Sequence, residues 1–192
     1  METFIRPRQM VKDDSFPEKR ERTLRKLDMS IIDPQIMDII EGIMAVPHCF
    51  TLQSCYGHII EQGTDGSRVK RIDPEPALPD NGLYQIAYLA LVLENSESGR
   101  SLYQSLIDIS LLDNNFIQFG SAEWFWKNEG FCNSYVIQVA PSGCRHLDRF
   151  NMSGEEAQKW LNSRALFFNE LKKLFELVRM QISHDAACEV SK

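Results

Sequence analysis

The side chains best suited to chemistry are concentrated in one short segment, Ser54-Cys55-Tyr56-Gly57-His58. A thiol and an imidazole lie close together in this segment, and the glycine between them permits a tight backbone bend. In a tight hairpin, Cys55 and His58 would approach hydrogen-bonding distance, which favours the thiolate. Such a turn also exposes backbone N–H groups that can bind an anion or a carboxylate. The plainer alternative is a half-buried cysteine in an ordinary hairpin, with His58 at the surface.

Two other segments contain candidate ligand-binding residues. Trp124 and Trp126 would share one face of a strand, where exposed rings could stack on a base and buried rings would belong to the core. Arg145 suits a phosphate or carboxylate, and the neighbouring His146 suits acid–base chemistry. The alternative for this second pair is an ordinary polar surface loop.

Several well-known site patterns are absent from the sequence. It contains no GxGxxG fingerprint, no phosphate-binding loop ending in Gly-Lys-Ser/Thr, no GxSxG elbow and no HExxH pattern. The five cysteines are scattered, with no CxxC pair, which argues against both a disulfide framework and a structural zinc site. We therefore predict reduced thiols, no metal and a cytoplasmic location.

Length and charge narrow the classes of protein that fit. The 192 residues, 43% of them apolar and 25% charged, suit one globular domain. No apolar run approaches the roughly 18 residues needed to cross a bilayer, so no membrane partner is expected. The net charge of −6 disfavours non-specific coating of nucleic acid, although residues 6–26 hold eight basic against four acidic residues. That basic segment predicts either a solvated helix face or an arm that contacts phosphates, as a tRNA-binding protein would need.

Periodicity and turn residues predict the elements that position these side chains. Ile36, Ile39, Ile40 and Ile43 follow Asp33-Pro34 at helical spacing, with the aspartate as N-cap. The remaining predicted elements are a charged helix at 16–27, a hairpin of strands 49–53 and 58–60, a loop at 61–82, a buried strand at 84–93, a helix containing Leu102 and Leu106, paired strands at 116–126 and 135–139, and a helix from 153 to about 181.

The order of these elements predicts an α+β fold. Strand–helix–strand indicates a crossover unit and the hairpins indicate antiparallel pairs, so we expect one mixed sheet packed by N-terminal helices and a long C-terminal helix. The predicted organisation is a flexible arm at 1–15, a single domain at 16–182 and a frayed tail at 183–192.

Taken together, the motifs resemble the tRNA wybutosine-synthesising protein 3 family. The resemblance covers residues 16–180 and begins with Phe16, Lys19 and Leu27-Asp28-x-Ser30-x-x-Asp33. Its sharpest motif is Thr51 followed by Ser54-Cys55-x-Gly57. The order of the later strand and helices also follows the family.

The resemblance implies a function and a set of site residues. Members of that family are S-adenosylmethionine-dependent methyltransferases that modify a guanosine-derived tricyclic base in tRNA. By this resemblance Ser54, Cys55 and Gly57 would form part of the ligand pocket, with Asp28 and Ser30 supporting it. His58 is the candidate base, and Trp124 or Trp126 would stack on the tricycle.

The sequence also departs from the family pattern. His58 stands where the family has arginine, which is permanently charged and bidentate. Gln53 replaces a small hydroxyl residue, and Ile31-Ile32 replaces a polar turn that contains glycine. Two alternatives therefore stay open: a binding domain that kept the fold without catalysis, and a thiol enzyme using Cys55 and His58, for which the sequence shows no third orienting residue.

Overall fold

A computed structural model describes residues 4–62, 67–71, 73, 78 and 81–190. The strands in this part are β1 (Phe4–Ile5), β2 (Cys49–Cys55), β3 (His58–Gln62), β4 (Arg68–Arg71), β5 (Asn81–Gln85), β6 (Ala87–Leu93), β7 (Ile117–Ala122), β8 (Ser134–Val139) and β9 (Arg149–Ser153). The α-helices are α1 (Phe16–Lys26), α2 (Met37–Ala45), α3 (Glu97–Ser110), α4 (Glu123–Asn128) and α5 (Gly154–Val190), and short 3₁₀ helices span Met29–Ile31, Pro34–Ile36 and Ser142–Cys144.

The strands form two sheets, and the predicted α+β class is confirmed. The five-stranded sheet has the order β1-β7-β8-β6-β2, and the four-stranded sheet has the order β4-β3-β5-β9. All strand pairs that the structure describes are antiparallel, so neither sheet is mixed in the sense predicted. The predicted crossover unit is β6-α3-β7. Its two strands are parallel to each other, but β8 lies between them and pairs with both.

The predicted hairpin at the 54–58 turn is wrong, because the chain changes sheets there. β2 pairs with β6 in one sheet, whereas β3 pairs with β4 and β5 in the other. The predicted single strand at 84–93 changes sheets in the same place, with a break at Ile86 between β5 and β6. We call this place, where residues 55–58 and 85–88 pass from one sheet to the other, the crossing. Cys55 faces Tyr88 on one side of it and His58 faces Gln85 on the other. Apolar periodicity cannot distinguish a straight strand from one that bends into a second sheet.

The crossing is packed against α5. Trp160 is fully buried, and its indole N–H donates a hydrogen bond of 2.9 Å to the Val139 carbonyl. The Trp160 ring meets the Tyr84 ring edge-on at 5.6 Å between centroids. Burying each such side chain contributes about 1.5–3 kcal/mol, so this layer is a major part of the core. The helix starts with the predicted capping box, in which Ser153 and Glu156 bond each other's backbone N–H groups.

The helix predicted after Asp33-Pro34 is present and forms the second part of this layer. Ile36, Ile39, Ile40 and Ile43 are all buried, and α2 packs against α5 and β2. The apolar stripe therefore faces the core, as its spacing predicted.

The described part of the predicted flexible arm, from residue 4 onward, is bonded to the domain. β1 pairs with β7, and the Asn133 side chain bonds both the N–H and the carbonyl of Val11 at 2.8 and 2.9 Å. Tyr135 donates to the Arg8 carbonyl at 3.0 Å. These contacts join residues far apart in the sequence, which is why composition could not predict them. At the other end, the backbone of α5 continues to Val190, into the segment predicted as a frayed tail.

Two further elements differ from prediction. The run at 116–126 is strand only as far as Ala122, and Glu123–Asn128 then forms α4, stabilised by an ion pair between Glu123 and Lys127. The predicted loop at 61–82 contains β4, which pairs with β3. Residues 63–66, 72, 74–77 and 79–80 of that loop lie outside the described residues. Among the helices of the described part, none combines the length and hydropathy needed to span a membrane.

Gly57 tests the packing of the crossing. Its φ is +87°, and a Cβ placed there would lie 2.8 Å from the Ala87 Cβ and 3.0 Å from Cζ2 of Trp160. We expect Gly57→Ala to lower the free energy of unfolding by about 2–4 kcal/mol, from backbone strain plus overpacking. Gly130 is the matched control, since it has φ +68° and no atom within 4 Å of its added Cβ. Gly130→Ala should cost only about 1–2 kcal/mol in urea unfolding, and equal losses would contradict the packing argument.

Candidate functional site

The Cys55 thiol lies at the crossing between the sheets and is almost entirely buried. The side chain is 6% exposed. Its sulfur accepts hydrogen bonds from the Gly57 backbone N–H and from Nε2 of Gln85, each at 3.4 Å. Burial raises the pKa of the Cys55 thiol, and the nearby Asp33 carboxylate raises it further. Cys55 is therefore a protonated thiol at neutral pH, and the expected activation to a thiolate nucleophile is absent from this arrangement.

Asp33 joins this site from a distant part of the sequence. Its Oδ2 accepts a hydrogen bond of 2.8 Å from the Tyr56 backbone N–H and lies 3.3 Å from Nε2 of His58. Asp33 occupies the predicted N-cap position, before the 3₁₀ helix Pro34–Ile36, but its side chain makes no capping hydrogen bond. One donor atom each from Asp33, Cys55 and His58 lie within 4.8 Å of one another. Tertiary structure, rather than local sequence, brings these three side chains together.

His58 is buried rather than at the surface. Burial lowers its pKa, and this outweighs the opposing effect of the Asp33 carboxylate. The imidazole is therefore neutral at physiological pH. Its Nδ1 is buried and has no hydrogen-bond partner among the described residues. A buried, unpartnered ring nitrogen is costly and calls for an explanation.

Arg164 of α5 also holds the turn at Gly57 in place. It is 2% exposed, and its guanidinium donates a hydrogen bond of 3.0 Å to the Gly57 carbonyl. The guanidinium lies over the Tyr56 ring at 4.4 Å and the Trp160 ring at 5.1 Å, and it pairs with Asp73 at 2.6 Å. Sequence reasoning missed this residue. The available signal was an arginine four residues after Trp160, on the apolar face of the helix.

A cavity of about 650 Å³ opens beside the crossing. Gln85 connects the two, because it lines the cavity and also donates to the Cys55 sulfur. Three glutamine amides, three aromatic or imidazole rings and two arginines contribute to the wall: Gln53, Gln85, Gln138, Tyr88, Trp124, His146, Arg145 and Arg149. The cavity thus combines flat rings with both hydrogen-bond donors and acceptors.

Hydrogen bonds hold the polar wall of the cavity in place. Tyr88 donates to Oε1 of Gln53 at 3.1 Å. The amide nitrogen of Gln138 donates to Oε1 of Gln118 and to the Arg145 carbonyl, each at 3.1 Å. These contacts orient the amides before any ligand enters, which reduces the entropy lost on binding.

The two tryptophans predicted as a pair lie on α4 and point to different surroundings. Trp124 lines the cavity and is 39% exposed, so its ring is accessible to a ligand. Trp126 instead lies under the Arg8 guanidinium, 5.3 Å from its ring centroid. The expectation that both indoles share one face is wrong, since residues two apart point in different directions on a helix.

The other predicted site residues fall into two groups. Cys55, Gly57 and His58 meet at the crossing, and Arg145 lines the cavity. Ser54 is half-buried on β2 beside them. The predicted supporting pair, Asp28 and Ser30, instead forms an exposed local turn in which Asp28 accepts from the Ser30 N–H at 2.9 Å and from the Ser30 hydroxyl at 2.6 Å. Hydrogen bonds from Ser30 lower the pKa of Asp28, and the pair shapes the chain leading to Asp33.

Part of the basic N-terminal segment is engaged within the protein, through Arg8, Lys19 and Arg20. Arg20 donates to the carbonyls of Met44, Val46 and Cys49, at the start of β2. The crossing lies at the other end of this strand, roughly 20 Å away at about 3.3 Å per residue. Lys19 is paired with Asp13 at 2.7 Å. The positive charge nearest the crossing therefore comes from elsewhere.

Four basic residues of the described part supply that charge. Lys70 of β4 and Arg164 both act electrostatically on His58. Arg145 and Arg149 line the cavity. The cavity wall also contains Asp148, so its two arginines leave it with an excess of one positive charge, although the net charge of the chain is −6.

Comparison with known proteins extends to the fold alone. No protein-family model and no curated protein matches the chain. A structure of the PH1069 protein from Pyrococcus horikoshii matches with a TM-score of 0.50 and 12% identity over 86% of this chain and 96% of that one. A second PH1069 structure, from Pyrococcus horikoshii OT3, has a TM-score of 0.46 and 11% identity over 92% and 98%. A hypothetical protein from Aeropyrum pernix has a TM-score of 0.43 and 16% identity over 77% and 99%.

Arg164 offers a direct test of how the turn is held. We expect Arg164→Lys to lower the free energy of unfolding by about 1–3 kcal/mol, because lysine lacks the flat fork that stacks between two rings while donating to Gly57. Arg25→Lys is the control, since Arg25 is an exposed partner of Glu21 on α1. That change should stay within about 0.5 kcal/mol in urea unfolding. A loss no larger for Arg164→Lys than for Arg25→Lys would contradict the assigned role.

Proposed function

We propose that the protein is a divergent tRNA-modifying methyltransferase, related to the wybutosine pathway, that transfers methyl from S-adenosylmethionine to a guanosine-derived base. The observation that carries the proposal is the cavity beside the Ser54–His58 turn, with its volume of about 650 Å³. Small-molecule sites commonly measure about 300–1,000 Å³, so the cavity suits a nucleoside-sized ligand. The Ser-Cys-x-Gly motif supports the same proposal through its resemblance to the family, and it lies next to the cavity because Gln85 contacts Cys55.

The wall of the cavity fits a flat heterocycle that carries a charged group. Trp124 offers a ring for stacking, and base–aromatic stacking contributes about 1–3 kcal/mol per base. The Gln138 amide nitrogen already donates to Gln118 and Arg145, so the Gln138 oxygen is the group that can accept from the edge of such a ring. Arg145 and Arg149 suit the carboxylate of the methyl donor or a phosphate of the tRNA.

The protein's part in the reaction is to position the ring and receive a proton. The methyl donor, when bound, supplies an electrophilic methyl that passes to a ring nitrogen as the carbon–sulfur bond breaks. Orientation by Trp124 and the oriented amides would bring that nitrogen into line. The proton released from the nitrogen needs an acceptor, and His146 lines the cavity. We assign this role to His146 in place of His58, whose Nε2 faces Asp33.

The proposal includes a tRNA partner and a cytoplasmic location. Because residues of the basic N-terminal segment such as Arg20 and Lys19 bond within the protein, the phosphate contacts are assigned mainly to Arg145 and Arg149. The salt dependence of tRNA binding would then reflect a small number of neutralised phosphates.

A second candidate is a binding domain that lacks catalysis. The internal pairing of the basic segment and the net charge of −6 favour it, since both weaken attraction to tRNA. The thiol-enzyme alternative gains a third residue in Asp33. The raised pKa of the buried Cys55 thiol nevertheless disfavours it.

The two tryptophans of α4 distinguish these candidates. We expect S-adenosylmethionine to bind in calorimetric titration, and labelled methyl to be transferred to tRNA that lacks the modification. Trp124→Ala should lower kcat/KM about tenfold or more through lost stacking, whereas Trp126→Ala should change it less than about threefold. If the wild-type protein neither binds S-adenosylmethionine nor transfers methyl to tRNA, the result would favour the second candidate, a binding domain that lacks catalysis. Equal losses in the two variants would contradict the assignment of the cavity.

A further inference from the structure

Three side chains of the kinds that zinc binds converge at the crossing. Cys55 and His58 are separated by two residues on the turn, and Asp33 reaches them from the segment before α2. Sulfur, imidazole nitrogen and carboxylate oxygen are the three protein donors of zinc sites. Oδ2 of Asp33 and Nε2 of His58 are 3.3 Å apart. Two ligands bound tetrahedrally at about 2.0–2.2 Å are separated by about 3.3–3.6 Å, so this pair already has the required spacing.

The hydrogen bonds to the Cys55 sulfur are a second, independent sign of a metal site. The Gly57 N–H, two residues along the chain, donates to this sulfur, and Nε2 of Gln85 donates as well. A neutral thiol is a weak acceptor and does not require two N–H donors. A metal-bound thiolate is a strong acceptor, and hydrogen bonds to the sulfur are characteristic of the outer shell of metal sites.

Two buried polar atoms without partners complete the pattern. Nδ1 of His58 and Oε1 of Gln85 have no hydrogen-bond partner among the described residues. Their residues face each other across β3 and β5. Coordination of a metal by Nε2 would place the remaining ring proton on Nδ1, making that nitrogen a donor on the residue opposite Gln85. A ligating histidine generally donates its other N–H to an oxygen in this way.

We propose that Asp33, Cys55 and His58 bind one Zn²⁺ ion, with the fourth position open to water. The carboxylate and the thiolate would together balance the two charges of the ion, which matters because Lys70 and Arg164 are close by. The thiol proton would leave to solvent when the sulfur binds the metal. The three ligand atoms already lie within 4.8 Å of one another, so only small side-chain rotations are needed to bring them around one ion. This inference goes beyond the proposed function, because it requires neither the methyl donor nor tRNA.

The site would couple the two sheets and the cavity. Cys55 ends β2 in one sheet and His58 begins β3 in the other, so the ion would clamp the point where the chain changes sheets. Gln85 contacts the Cys55 sulfur and also lines the cavity. Metal binding would thereby fix one wall of the cavity, as structural zinc sites stabilise a fold.

Cobalt substitution tests the site in the full-length protein, after treatment with a chelator and its removal. Co²⁺ should bind with one equivalent and give the near-ultraviolet sulfur-to-cobalt charge-transfer band, and Zn²⁺ should displace it. Cys55→Ser should abolish the band. Asp33→Asn keeps an oxygen to accept from Tyr56 and should weaken binding about tenfold or more. Cys132→Ser is the matched control, since Cys132 is a half-buried cysteine elsewhere, and it should change neither band nor affinity.

A second measurement keeps the test decisive if Cys55→Ser fails to fold. X-ray absorption of the zinc-loaded wild-type protein should show one sulfur at about 2.3 Å and nitrogen or oxygen at about 2.0–2.2 Å. Absence of sulfur from that shell, or a cobalt band that persists in Cys55→Ser, would overturn the proposal. Binding of S-adenosylmethionine, measured in the presence of a chelator, separates failure of the zinc proposal from failure of the proposed methyl transfer. The methyl transfer could hold without the metal.

Discussion

The contact between Gly57, Ala87 and Trp160 is the constraint on which the rest of the structure depends. Two neighbouring chain segments pass from one sheet to the other at this point, and the α5 indole packs directly against them. No side chain fits at Gly57, and its positive φ supplies the bend. Because Trp160 also bonds the Val139 carbonyl, the same residue fixes the distance between the helix and the first sheet. This close approach therefore holds together the two strand ends that carry Cys55 and His58.

The crossing also explains why polar groups are tolerated so deep in the protein. Arg164 is held by two aromatic faces, the Gly57 carbonyl and Asp73, and a buried charge is stable only when it is paired and hydrogen-bonded. Asp33 satisfies the Tyr56 N–H at the edge of β2 and simultaneously approaches His58. The buried polar cluster is therefore part of the architecture of the crossing. Gln85 extends it to the cavity, because it bonds the Cys55 sulfur and lines the cavity wall.

Sequence patterns predicted the elements better than their arrangement. The isoleucines of α2 and the capping box at Ser153 identified two helices correctly, because both signals are local. The change of sheets at Gly57 left no local signal, since an apolar run reads the same in a straight or a bent strand. Aromatic residues favour strands and so predict a strand at Trp124, yet Trp124 lies in the helix α4.

The chemistry at Cys55 was identified from the motif, but its partners were not. Asp33 and Arg164 come from segments distant in sequence, and only the fold brings them to the turn. Arg164 alone had a readable signal, as a charge on the apolar face of a long helix. The docking of the N-terminal segment onto Asn133 and Tyr135 depends likewise on long-range hydrogen bonds that composition does not encode.

The central claim is that the cavity beside the crossing is the ligand-binding site. The most direct test is a two-dimensional NMR titration of ¹⁵N-labelled protein with S-adenosylmethionine, following the indole and side-chain amide signals. We expect saturable shifts of the Trp124 indole and of the Gln85 and Gln138 amides, with the Trp126 indole little changed. Unchanged signals at Trp124, Gln85 and Gln138, alone or with shifts confined to residues of α1, would contradict it.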